Sequence, residues 1–172
     1  MTTARRSALL WQAVEDHLGS RDVARVVYGS ILGLALVVAL EQHPPTIGQT
    51  IAAVVATALA IGLAETYSEF VGAEARERRH LSRAEVRVLA EDAAAVTFGA
   101  GFPAVFFILA AAGVMELATA FTLAKWTGLA LICAYGYVAA RLAGSGTGAS
   151  LLHASALGMI GVALITVKAL LH

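Results

Sequence analysis

Apolar residues run along this chain in five blocks, broken by short charged or glycine- and proline-rich stretches. Each block is about long enough to cross a ~30 Å hydrocarbon core as a helix. The blocks cover roughly residues 23–40, 47–71, 93–115, 117–142 and 149–171. Lipid offers a backbone no hydrogen-bond partner, so such segments must be helical, and any charge kept at depth needs a reason. The pattern predicts an all-α, polytopic membrane protein: one membrane domain of five transmembrane helices.

The breaks carry their own signals. Glu41, Gln42, His43, Pro44 and Pro45 end the first block in a tight turn. Residues 72–92 form a short cytoplasmic helical insert. The second block runs on through Glu74, Arg76, Glu77 and Arg78, with Glu74 and Arg78 spaced as an i,i+4 pair. Ser82 followed by Glu85 is a capping box, so a new helix starts there and runs into the third block. Pro103 kinks that block and frees a carbonyl near Gly99. Glu116 marks a short turn before the fourth block, and Gly144 to Gly148 a turn before the fifth. Ahead of all five, Leu10, Trp11, Val14 and Leu18 share one helical stripe behind Arg5 and Arg6. Residues 1–20 therefore read either as an interfacial helix or as a soluble amphipathic helix docked on its own bundle.

Charge sets the orientation. Arg5, Arg6, Arg21, Arg25, Arg76, Arg78, Arg79, Arg83, Arg87 and Arg141 fall on one side of the five crossings, ten of the twelve basic residues. The positive-inside rule then puts the amino terminus in the cytoplasm and the carboxyl terminus outside. Lys125 and Lys168 are expected to snorkel, Lys125 beside Trp126, as is Arg25 at the first crossing. Arginine in place of lysine, abundant alanine and the absence of asparagine suit a GC-rich bacterial genome, hence a bacterial inner membrane. Zero net charge and the lack of any basic stretch with interleaved aromatics leave no nucleic-acid surface. The single cysteine, Cys133, excludes a disulfide framework. The chain shows no nucleophile elbow, His-Glu-x-x-His, Walker loop or dinucleotide fingerprint, and His153 and Ser155 have no acid nearby for a triad, so an enzyme is not expected.

The candidate chemistry is acidic. Glu65 and Glu69 lie four residues apart on one face of the second crossing, roughly 9 and 15 Å from its midpoint toward the cytoplasm. They read either as an inner-mouth site for a divalent cation or proton, or as an interfacial acid pair neutralised by Arg76, Arg87 or Arg141. Glu91 and Asp92 open the third crossing, close enough to complete a metal set with Glu65 and Glu69. Glu74 and Glu77 guide the cation in; the alternative is that Glu74, Glu77, Glu85, Glu91 and Asp92, interleaved with arginines, form a solvated face. Gly29 and Gly33 form a Gly-x-x-x-Gly face, which suits a homodimer contact or a neighbouring helix of the same chain.

The order of these parts resembles the vacuolar iron transporter family. Ser68, Glu69, Phe70, Val71 and Gly72 look like its Gly-Glu-Tyr-Val-Ser motif, and Gly99 through Pro103 like its Gly-x-x-x-Pro. Tyr28, Gly29, Gly33 and Leu34 resemble its first-crossing signature, Gly136 to Arg141 the end of its fourth crossing, and Gly158 to Thr166 its fifth. The resemblance implies a homodimer paired along the first crossing. It further implies Fe²⁺ or Mn²⁺ export in exchange for protons, with Glu69 on the transport path and no tightly bound cofactor. Leu32 stands where the family carries aspartate, and the pathway methionines have no counterparts. The alternative expectation is a non-transporting membrane protein of the same fold, acting as a structural or assembly partner in the lipid bilayer.

Overall fold

The computed structural model describes residues 20–170, so the expected helix over residues 1–20 lies, apart from Ser20, outside the described residues. Among the described residues all regular structure is helical: α1 (Ser20–Leu40), α2 (Ile47–Glu77), α3 (Arg83–Gly101), α4 (Ala104–Ala111), α5 (Leu117–Leu142) and α6 (Thr147–Leu170). The helices α1, α2 and α5 are long and apolar enough to cross a membrane, and α3 with α4 makes a fourth if the bent pair is counted as one. Their lengths and hydropathy fit a membrane protein. Among the described residues α6 offers a shorter apolar stretch, Thr147–Ala163.

Local chemistry fixes the helix ends. Thr46 and Gln49 form a reciprocal capping box at the start of α2, and Ser82 with Glu85 forms the one read from the sequence at the start of α3. The α2–α3 hairpin is tied from both sides. Glu74 accepts from the Leu81 N–H at 3.2 Å and lies 3.0 Å from His80 Nδ1, while Arg79 bridges Glu77 and Glu85. That hydrogen bond to Glu85 is the main cause raising the Arg79 pKa above its ordinary value. The expected Glu74–Arg78 pair is not made, because Arg78 ends α2 in the left-handed region with φ 51° and Glu74 turns to the hairpin instead. A left-handed arginine carries a steric cost that glycine avoids. Replacing Arg78 by glycine is therefore expected to raise stability by about 0.5–1 kcal/mol, net of glycine's extra unfolded-state entropy. The denaturation midpoint in detergent checks this, and Arg78→Ala should show no gain.

Helix α1 is the centre of the bundle. Half of its apolar stretch is buried within the protein, against 22% of the α2 window and 28% of the α5 window. It packs mainly on α3 and α5 and also meets α2 and α6. Its contact with α3 is made backbone to backbone: a Cβ on Gly29 would lie 2.1 Å from the Val96 carbonyl oxygen, one on Gly33 2.6 Å from that of Ala100, and one on Gly99 2.4 Å from that of Val26. The Gly29 and Gly33 face, read as a homodimer contact or a contact with a neighbouring helix of the same chain, is met by α3 of the same chain. A Gly-x-x-x-Gly spacing specifies close approach without specifying whose helix approaches.

At Phe102 and Pro103 the chain bends by 52° between α3 and α4. The bend lays Phe107 of α4 against Phe121 of α5, ring centroids 4.8 Å apart, in a core completed by Val37 and Val54. A second core of Val27, Leu34, Val38 and Ile132 seals α1 to α5, with Leu157 of α6 packed against it.

Candidate functional site

The site lies where α1, α2 and α3 meet, at the hairpin end of the bundle. Arg25, one and a half turns into α1, reaches across to Glu69 of α2 and to Asp92 of α3, with one guanidinium nitrogen in contact with each carboxylate. All three side chains are shielded: Arg25 is 13% exposed, Asp92 10% and Glu69 30%. The glycine contact between α1 and α3 holds the backbones close enough for Arg25 and Asp92 to meet. Arg25, expected to snorkel, turns inward because two carboxylates in an apolar bundle outbid solvent for its guanidinium.

The four expected metal ligands are not brought together. Glu69 and Asp92 meet around Arg25. Glu91 is exposed and accepts from Arg87 Nε at 2.9 Å on its own helix. Glu65 is half-buried, and its carboxylate has no partner among the described residues. No group of three or more His, Cys, Asp or Glu that could hold a metal ion forms among the described residues. Of the arginines read as neutralisers of the acid pair, Arg87 serves Glu91, and Arg141 donates to the Ser145 carbonyl at 3.1 Å.

Glu69 belongs to a second feature. A cavity of about 450 Å³ opens between the extension of α2 and the first turns of α3, lined by Ser68, Glu69, Arg76, Glu77, Glu85 and the apolar Leu81, Val88 and Leu89. Glu77 stands on its wall, whereas Glu74 belongs to a separate shallow hollow with Arg78 and His80. The buried cluster therefore touches the open cavity through one carboxylate.

No family model, curated protein or solved structure matches this chain.

The chemistry must accordingly be taken from the geometry. With all three groups ionised, two carboxylates face one guanidinium, leaving an excess negative charge in a low-dielectric setting. Such an excess favours a cation. Sequence reasoning missed Arg25 as a site residue; its only signal was a base inside the apolar block next to acids on two other blocks. It also missed the pair at the opposite end. Lys125, expected to snorkel, places Nζ 2.7 and 2.9 Å from the two carboxylate oxygens of Glu41. A neighbouring acid at the end of α1 satisfies the ammonium at shorter reach than the headgroup zone would.

Proposed function

We propose that this chain is an integral membrane transporter-like protein that moves a cation out of the cytoplasm, with Fe²⁺ or Mn²⁺ as cargo and protons in exchange. In this reading it makes five crossings: α1, α2, the broken α3–α4 pair, α5 and α6. The hairpin end is cytoplasmic, by the distribution of arginines, and the membrane is a bacterial inner membrane. The carrying observation is the Arg25–Glu69–Asp92 cluster, two acids to one base, meeting an acid-lined cavity at Glu69.

Two partners on Arg25 make an exchange possible at low cost. A cation arriving past Glu77 and Glu85 meets Glu69 first. When Glu69 turns to it, the Arg25 guanidinium keeps Asp92, so no buried charge is left alone at any step. Ion clusters of this kind add little net stability compared with apolar packing, and charges at intramembrane depth mark ion and proton pathways. In this reading Glu65, half-buried one turn away on the same face and with no partner for its carboxylate among the described residues, exchanges the proton.

Reconstituted protein with an internal metal-sensitive dye tests the proposal. Under an imposed proton gradient, Mn²⁺ or reduced iron should cross well above protein-free background, and Glu69→Gln should lower the rate at least tenfold while leaving the unfolding midpoint near that of wild type. Wild-type flux at background for both metals would remove the transport reading.

A second reading, the non-transporting structural or assembly partner, draws on the same guanidinium: Arg25 already joins Glu69 to Asp92, and Leu32 puts no acid on the first crossing at that position. It predicts that Glu65→Gln and Glu69→Gln change stability or partner capture alone.

A further inference from the structure

We propose that Glu41 and Lys125 form the outer closure of the pathway whose inner end is Glu69; the assignment rests on the transport reading above. Helix α1 carries a charged contact at each end. Arg25 clamps its inner end to α2 and α3, and Glu41, the residue following α1, clamps its outer end to Lys125 of α5. Sixteen residues at 1.5 Å rise separate the two by roughly 24 Å, close to the thickness of the hydrocarbon layer. The two clamps bind α1 to different partners.

Those partners differ in how they can part. The α1–α3 seam is backbone against backbone at Gly29, Gly33 and Gly99, with no side-chain layer to slide on, so α1 and α3 move together. The α1–α5 seam is ordinary side-chain packing: a Cβ on Gly128 would sit 3.8 Å from Leu34 Cδ1, in simple van der Waals contact. Opening therefore falls between α1 and α5. Directly beneath the Glu41–Lys125 pair that seam is filled by Leu34, Val38 and Ile132, all buried. The ion pair is three-quarters shielded, with Lys125 20% and Glu41 28% exposed, and both carboxylate oxygens are engaged. A lysine that merely reached for headgroups would leave no such two-point contact.

The experiment uses a thiol reporter at Val38 in a Cys133→Ser background, in right-side-out vesicles, with a membrane-impermeant maleimide applied outside. Val38→Cys alone should label slowly. Adding Lys125→Ala should speed labelling at least tenfold, and Glu41→Gln, a milder change that keeps size, should act in the same direction. The charge swap Glu41→Lys with Lys125→Glu should restore slow labelling, which a loss of folding could not do. Labelling insensitive to Lys125→Ala and Glu41→Gln, or left fast by the swap, overturns the closure. Because labelling needs no cargo, swap-sensitive labelling in a protein without metal flux would keep Glu41–Lys125 as the contact that closes the α1–α5 seam and remove its place on a transport path, whereas metal flux with insensitive labelling would remove the closure alone.

Discussion

Arg25→Ala is expected to cost about 3–5 kcal/mol of stability, the usual penalty for stripping the partner from a buried charge. The variant leaves Asp92, almost wholly enclosed, facing Glu69 across an apolar bundle with nothing positive between them. Part of that loss should return when the acids are neutralised as well: Arg25→Ala with Asp92→Asn should unfold at higher denaturant than Arg25→Ala alone. Replacing all three members by apolar residues of similar volume should be close to neutral or stabilising, because apolar packing carries no desolvation cost; in the transport reading it should also abolish flux. Chemical unfolding in detergent micelles, followed by loss of helical circular dichroism, reads each step. An Arg25→Ala protein within about 1 kcal/mol of wild type would mean that the cluster does not hold α1 to α2 and α3, far below the penalty for an unpaired buried ion.

The contrast between Glu91 and Asp92 shows where sequence reading stops. The two acids are neighbours, so on a helix they point about 100° apart. One is exposed and pairs along its own helix; the other is buried on Arg25. Which one faces inward depends on the rotation of α3 against α1, and the glycine contacts that fix that rotation are tertiary. The apolar blocks, the proline turn after α1, the capping box at Ser82 and the run of α2 past its crossing are local patterns, and all could be read along the chain. Glu65 and Glu69 share a face for the same local reason. What lies opposite that face is set by α1, whose arginine is separated from Glu69 by 44 positions. Lys125 and Glu41 are 84 positions apart, and nothing in either neighbourhood points to the other. A base near a membrane boundary can always reach water, so its sequence context alone favours snorkelling until a nearer acid is known.

Gly29→Ala is expected to destabilise by about 2–3 kcal/mol, at the upper part of the range for overpacking, although alanine is the better helix former. The added methyl would sit 2.1 Å from the Val96 carbonyl oxygen and 3.0 Å from the Ala100 nitrogen. Both are backbone atoms, so relief comes only from moving α1 away from α3. Gly48→Ala supplies the opposite sign. A Cβ there meets nothing within 4 Å, and with no clash the helix preference for alanine should raise stability slightly, by less than the figure of about 0.5–1 kcal/mol for a helix interior, because Gly48 lies in the first turn of α2. Opposite shifts of the unfolding midpoint for two chemically identical substitutions would locate the effect in the α1–α3 contact. The same pair separates an internal seam from a dimer contact. If Gly29 faced a second copy, its alanine variant would lower the oligomeric mass while leaving each protomer's stability at high dilution near wild type. An internal seam requires loss of stability at every protein concentration. Gly29 is also one turn from Arg25, so the separation that relieves the methyl draws the guanidinium from Asp92. In the transport reading, metal flux should therefore fall together with the unfolding midpoint in Gly29→Ala and remain at wild-type level in Gly48→Ala.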